Sequence, residues 1–462
     1  MRASRLLLTF FAVLCAAGSL ASELPSATAA KIDEMAVKAL LDSATPSVSI
    51  ALVQGGKIAY EKAYGKARLD PPANASTGMR YSIGSVSKQF LAGTVLLLVQ
   101  DGKLSLDDPV SRFLPELTRA NEVTIRQLLS HTSGYQDYYP QDFVPLFMQK
   151  PVTPDGILEQ WARKPLDFDP GTRWQYSNTN YVVAGRIVER VSGEAYFAFL
   201  TKRILQPIGI TSAIDLAGQT LGPPDASGYT RFAWGPARPV PPEARGWLYA
   251  AGELAMTAHD LALWDISLIE HKLLKPASTD LMTTPVRLRN GTPTDYALGI
   301  GVSNDQGHPK WSHGGAVSGF VSSNTVWPDQ GAAVVVFANE DGSRAPGAIT
   351  GQLAPLLLAE AEDPQAQSAL EQARQILDGL RSGKIDRGLL SPNAAAYFTS
   401  QVLTDAAASL KTLGPVESFK QTSVEQRGGM TYRHFEVKFK NKTLHLNTLL
   451  LPDGKLEQYL VQ

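Results

Sequence analysis

Tyr81-Ser82-Ile83-Gly84-Ser85-Val86-Ser87-Lys88-Gln89-Phe90 runs directly into an apolar stretch, Leu91 to Val99. On a helix, a lysine three residues after a serine lies on the same face, one turn on. A serine hydroxyl is a poor nucleophile until its proton is removed, and the amine of Lys88 is placed to reach the hydroxyl of Ser85. The spacing alone is weak, because roughly one such match arises by chance in a chain of this composition. The plainer account is a serine near a helix start followed by a solvated lysine. Ser85 is, however, the only serine with a lysine three residues on.

Two later stretches change that balance. Tyr176-Ser177-Asn178 follows a turn signal, Asp169-Pro170-Gly171, and precedes a helical apolar pattern from Val182 to Val191. A phenol can act as general base or acid if nearby cations lower its pKa, and the Asn178 amide can orient a lysine or a substrate carbonyl. Taken alone, the pair reads equally as a buried tyrosine and a helix cap. His313-Gly314-Gly315-Ala316 precedes the apolar run Ala332 to Ala338. Paired glycines let a strand backbone approach a ligand closely, and a backbone N–H there can help form an oxyanion hole. Alone, it reads as a glycine turn beside a half-buried histidine.

The order S-x-x-K, then Y-x-N, then a late glycine-rich strand resembles the class C beta-lactamase and penicillin-binding-protein-like serine hydrolases. Three more segments carry the likeness: Leu128-Leu129-Ser130-His131-Thr132-Ser133-Gly134, the stretch Tyr249 to Asp260 containing Ala251-Gly252-Glu253-Leu254, and Tyr296-Ala297-Leu298-Gly299. Together they run from about Lys31 to Leu358. The resemblance implies an α+β fold, an antiparallel sheet flanked by helices with an inserted all-helical lobe. It also implies Ser85 as nucleophile, with Lys88 and Tyr176 handling protons and the choice of base between them left open. Asn178, His313, Gly315 and Ala316 would contact substrate, and no cofactor or metal is required. The expected activity is hydrolysis of amides or esters through an acyl-enzyme, in the manner of a D-amino-acid peptidase or an esterase. A true beta-lactamase and a non-catalytic cell-envelope binding protein of the same fold are the alternatives.

One departure stands out. Beta-lactamases of this kind usually carry K-T-G where this chain has His313-Gly314-Gly315. Histidine is mostly neutral at pH 7, so the anchor for a substrate carboxylate is weaker. If His313 binds such substrates, affinity should rise as pH falls through about 6.5.

Other chemistries find no support. No G-x-S-x-G, H-E-x-x-H or P-loop motif occurs, and the seven histidines do not cluster as ligands. Lys+Arg (43) nearly equals Asp+Glu (44), so nucleic-acid binding has no electrostatic footprint. The ends add an address. Arg2 and Arg5, the apolar Leu6 to Ala17 and the small residues Ser19-Leu20-Ala21 read as a signal peptide over 1–21. That implies a periplasmic or secreted protein with no stable membrane insertion after cleavage. Cleavage would also remove Cys15, the only cysteine.

Periodicity places a helix over Lys31 to Ser43 and strands over Val48 to Val53 and Ile58 to Tyr64, with Gly55-Gly56 as the hairpin turn. Helices are expected from Ser87 to about Leu268. Strands follow at Tyr296 to Val302, Gly319 to Val326 and Ala332 to Ala338, then a closing helix from Pro346 to Leu358. The hydrolase domain is read as 31–360. The Pro/Gly-rich stretch Leu216 to Gly246, with Tyr229, Phe232 and Trp234, either borders the substrate cleft or packs on the surface. A linker from Glu360 to Gln367 leads to a small α+β accessory domain at 369–462. It resembles cystatin or nuclear-transport-factor-like modules in a general way only.

Overall fold

The computed structural model describes residues 24–358, 363 and 365–462. The signal-peptide reading, Cys15 and half of the expected linker therefore lie outside the described residues. The chain forms two compact units, Met1–Ala359 and Glu360–Gln462.

The first unit is built on a seven-stranded antiparallel sheet. Its strands are β1 (Ser47–Gln54), β2 (Lys57–Leu69), β3 (Pro72–Asn74), β4 (Gly301–Asp305), β5 (His308–Val317), β6 (Phe320–Trp327) and β7 (Ala332–Ala338). They lie in the order β3-β2-β1-β7-β6-β5-β4. The two ends of the unit thus meet at the centre, where β1 pairs with β7 from Val48↔Ala338 to Val53↔Ala333. Gly55 and Gly56 turn β1 into β2 with φ of 58° and 72°, the left-handed pair that a tight hairpin turn demands.

β7 is apolar at every position because both faces of the sheet are covered. Val334 and Val336 pack with Ile32 and Ala36 of α1 (Ser26–Ser43) and with Ile349 and Leu353 of the closing helix, Ala345–Leu357. Val335 and Phe337 face the other way, into the core that holds Phe90 and Trp264. Each fully buried valine or leucine contributes about 1.5–3 kcal/mol, so a polar substitution on either face of β7 is costly.

Between β3 and β4 the chain supplies the helices. α2 (Ser87–Gln100) is buried from Ser87 to Leu98, all round its circumference, as expected of a helix inside a core. α3 (Asn178–Ser192) is amphipathic, while α4 (Ala258–Ile269) is buried along most of its length; the chain between them carries the short helix Tyr196–Leu200 and short strands such as Leu254–Met256. The strand expected at Tyr296 to Val302 begins only at Gly301. The reason is Gly299, whose φ is 75° and where a Cβ would fall 2.7 Å from the Lys88 carbonyl oxygen. Its apolar neighbours are buried by that close contact with α2 and not by sheet pairing.

The second unit packs a long helix, Ala366–Ser382, on a four-stranded antiparallel sheet, Val416–Arg427, Met430–Phe439, Thr443–Leu450 and Leu456–Val461. Its first strand, and the helix Ser400–Lys411 before it, had no clear sequence signal. Val416–Arg427 is polar and largely exposed, so its alternation is faint. Among the described residues no helix is long and apolar enough to cross a membrane, and no group of three His, Cys, Asp or Glu side chains could hold a metal ion.

Candidate active site

Ser85 sits in a single 3-10 turn, Gly84–Val86, that leads into α2. Lys88 is one turn on and completely buried. Its Nζ lies 2.9 Å from Ser85 Oγ, 2.8 Å from Asn178 Oδ1 and 2.7 Å from the Ala251 carbonyl oxygen. Burial pulls the Lys88 pKa down from its ordinary 10.5 to about 7, partly opposed by the negative charge of Asp137. The three partners explain what the neutral amine can do. A neutral amine has two N–H donors and one lone pair. Asn178 Oδ1 and the Ala251 carbonyl only accept, so they take both donors. The lone pair is then left for the one partner with a proton to give, the Ser85 hydroxyl.

Asn178 is held in that orientation from behind. Its Nδ2 donates to Asp137 Oδ1 at 3.1 Å and Oδ2 at 3.3 Å, and its backbone N–H donates to Asp137 Oδ1 at 2.9 Å. The amide oxygen must therefore face Lys88.

The Tyr176 hydroxyl is hydrogen-bonded to Ser85, and burial raises the phenol's pKa above its ordinary value in spite of that bond. The expectation that nearby cations lower it is overturned. Lys88 does lie 5.0 Å from the ring centroid, but the amine is only partly protonated near neutrality, and burial, joined by the negative charge of Asp137, raises the phenol's pKa. Tyr176 stays protonated at neutral pH. Its ring packs against His131, centroid to centroid 4.1 Å. His131 Nδ1 accepts the Ser177 N–H at 3.1 Å, and burial holds the imidazole well below its usual pKa. His131 is thus the neutral platform on which the Tyr176 segment rests.

β5 passes close to the nucleophile's turn. Gly84 has φ of 50°, and a Cβ there would lie 3.0 Å from the Ala316 nitrogen; a Cβ on Gly315 would fall 2.0 Å from the Ile83 carbonyl oxygen. Only glycine at both places permits this approach. It brings the Ala316 amide beside the Gly84–Val86 turn that carries Ser85. Ser322 Oγ, on β6, fastens the junction by donating to the Ile83 carbonyl at 2.8 Å.

His313 lies at the other end of the same glycine pair. Its Nδ1 is 2.6 Å from the Gly314 carbonyl oxygen, so that nitrogen carries the proton; its Nε2 is 2.7 Å from the Tyr296 hydroxyl, which donates to it. Burial, and then the charge of Lys88, lower its pKa from 6.5 to about 4. Both ring nitrogens are already engaged, and neither is a free cationic donor.

All seven residues singled out in the sequence converge on this one region. His131 and Tyr296 belong to segments noticed in the sequence, but no role was attached to them there. Asp137 carried no motif, and Ala251 acts through its carbonyl, which no side-chain pattern reports. Of the loop aromatics, Tyr229 is buried and its hydroxyl accepts the Leu69 N–H at 2.7 Å, while Phe232 and Trp234 are exposed.

The chain's relationships fit this arrangement. The beta-lactamase family model matches residues 32–358. Penicillin-binding protein 4* of Bacillus subtilis is 27% identical over 369 residues, covering 76% of this chain and 81% of that protein. Among solved structures, a D-stereospecific amidohydrolase from Streptomyces sp. is 27% identical with a TM-score of 0.60, over 69% of this chain and 96% of that one. An octameric penicillin-binding protein homologue from Pyrococcus abyssi shares the fold with a TM-score of 0.64 at 21% identity, over 94% of this chain and 100% of that one.

Proposed function

The chain belongs to the beta-lactamase family, and on that premise we propose that it is a serine hydrolase acting on amides or esters through an acyl-enzyme on Ser85. The observation that carries the reading is the buried Lys88 amine, 2.9 Å from Ser85 Oγ with two pure acceptors as its other partners. Neutral Lys88 takes the Ser85 proton as Oγ attacks the carbonyl carbon. The N–H groups of Ser85 and Ala316 stabilise the oxyanion. Tyr176 gives its proton to the leaving group and is reprotonated from Lys88, and water then reverses the sequence to release the acid. The amidohydrolase likeness supports the amide side of the substrate range. The test is labelling by a fluorophosphonate probe followed by peptide mapping. A single adduct on Ser85 is expected, and an adduct on another serine, or none, overturns the assignment.

The engaged imidazole of His313 supports esters and amides over carboxylate-bearing beta-lactams. It also moves the expected pH window. With a pKa of about 4, His313 stays neutral from pH 5 to 8, so kcat/KM for an anionic and a neutral substrate should keep a constant ratio across that range. A ratio that rises as pH falls through about 6.5 would show His313 reading substrate charge.

The reading includes export, supported by Arg2, Arg5 and the apolar Leu6 to Ala17. Mass spectrometry of the protein expressed in a bacterium should find a mature N-terminus at Ser22. Intact cytoplasmic chain alone would refute it.

A further inference from the structure

Asp137 follows the Leu128 to Gly134 segment by three residues, and the start of α3 is fastened to it. Its Oδ1 accepts the backbone N–H of Tyr139 at 3.1 Å and that of Asn178 at 2.9 Å. The Asn178 Nδ2 reaches Oδ1 at 3.1 Å and Oδ2 at 3.3 Å. None of these donors brings a positive charge. The carboxylate is half-buried, so water screens it only in part. Beyond it the contacts run on without a break. Asn178 Oδ1 lies 2.8 Å from Lys88 Nζ, and Nζ lies 2.9 Å from Ser85 Oγ.

The other titratable groups around this chain of contacts are uncharged at neutral pH. Tyr176 and Tyr181 stand with their ring centroids 5.0 and 5.3 Å from Nζ, and burial keeps both phenols protonated. His131 and His313 also feel the Lys88 charge, and burial keeps both neutral. Tyr138 and Tyr139, beside the acid, are held protonated in the same way. The carboxylate of Glu243 is engaged by the Tyr139 hydroxyl at 2.8 Å and the Ser318 N–H at 3.0 Å. Against the burial that discharges Lys88, the opposing influence is the charge of Asp137.

We propose that Asp137 is the acidic member of a relay, Asp137–Asn178–Lys88–Ser85, and that its charge supports the ammonium Lys88 becomes during acylation; the inference rests on the serine-hydrolase reading above. As Ser85 Oγ bonds to the carbonyl carbon, its proton passes to Lys88 Nζ and the carbonyl π pair moves onto oxygen. A cation then forms where little water can solvate it, and that is costly. The carboxylate one amide away offsets the cost, as a third group behind the base does in other nucleophilic sites. It also directs the lone pair. Without the carboxylate, Asn178 can turn over and present Nδ2 to Lys88, and the lone pair is then taken from Ser85. Asp137 touches neither Ser85 nor the reacting carbon, so its role is that of a positioning residue.

The rate at which a fluorophosphonate labels Ser85, followed against pH, tests the relay. Labelling needs the activated nucleophile but not the acid that protonates a leaving group. Asp137→Asn should label about 10²-fold more slowly at pH 8. Its acid limb should also move below the wild type's limb near pH 7, so the loss shrinks several-fold by pH 5. A mere fold support would cost the same factor at every pH. Asp137→Glu keeps the charge and should keep the limb in place. An unchanged rate, a pH-independent loss, or a limb displaced equally by Asp137→Glu overturns the relay. Asp137→Ser replaces the asparagine variant if circular dichroism finds that one unfolded, and failure of both to fold makes Asp137 a fold support and also overturns it. If wild type is not labelled, the hydrolase reading fails by itself, and the relay is read without catalysis. The Lys88 ε-carbon resonance, assigned by its absence in Lys88→Arg, should then titrate near pH 7 in wild type and at lower pH in Asp137→Asn. An unshifted midpoint overturns the relay.

Discussion

Lys88→Ala lowers the acylation rate by about 10²–10⁴-fold, the usual scale for removing a general base. The argument is one of protonation state. A lysine in water is charged at neutral pH and has no lone pair to offer. Burial removes the solvation that keeps it charged, so its pKa falls to about 7 and a large fraction of the protein carries the free amine. The sign of the pH dependence follows. In the wild type, kcat/KM for an uncharged ester falls as pH drops through about 7, because the incoming proton occupies the lone pair that Ser85 needs. In Lys88→Ala that acid limb disappears along with the rate. The variant keeps the core around α2, so circular dichroism should report a native fold. A variant that retains wild-type rates, or a wild type with no limb near neutrality, removes Lys88 from proton transfer.

How much of this was legible in the sequence depends on where each piece of information resides. Hydrophobic period located β1, β7 and the closing helix well, because those elements answer to burial that a pattern records. Ala332 to Ala338 coincides with its strand since every residue there is buried from one side or the other. Tyr296 to Val302 failed for the converse reason: its apolar residues are buried by α2, and Gly299 breaks the pairing. At the site, spacing found Ser85 and Lys88 because i and i+3 on a helix fix a contact locally. It could not find Asp137, which reaches Asn178 from 41 residues away, or the Ala251 carbonyl, 163 residues from Lys88. Those contacts are products of the tertiary fold. The titration states were also out of reach. Sequence offered Lys88 and Tyr176 as equal candidates for the base, and only desolvation separates them, lowering the amine and raising the phenol. The same cause acts on opposite charges with opposite sign.

That divergence makes Tyr176 an acid and sets its own expected result. Tyr176→Phe should slow hydrolysis of an unactivated amide by about 10²–10⁴-fold and slow p-nitrophenyl ester hydrolysis by less than about 10-fold. An amine departing from a tetrahedral intermediate cannot leave as an anion and must be protonated as the C–N bond breaks. p-Nitrophenolate is stable enough to leave without a proton. The phenol is suited to the first task because burial keeps it protonated and its hydroxyl bonds to Ser85, beside the carbon under attack. Its packing on His131, 4.1 Å between ring centres, survives the change to phenylalanine, so the loss reports the missing hydroxyl and not a displaced ring. Were Tyr176 the base instead, it would be needed before either leaving group departs, and both substrates would lose rate equally. Equal losses for amide and ester would therefore reassign the proton from Lys88 to Tyr176, and no loss for either would take Tyr176 out of the reaction altogether.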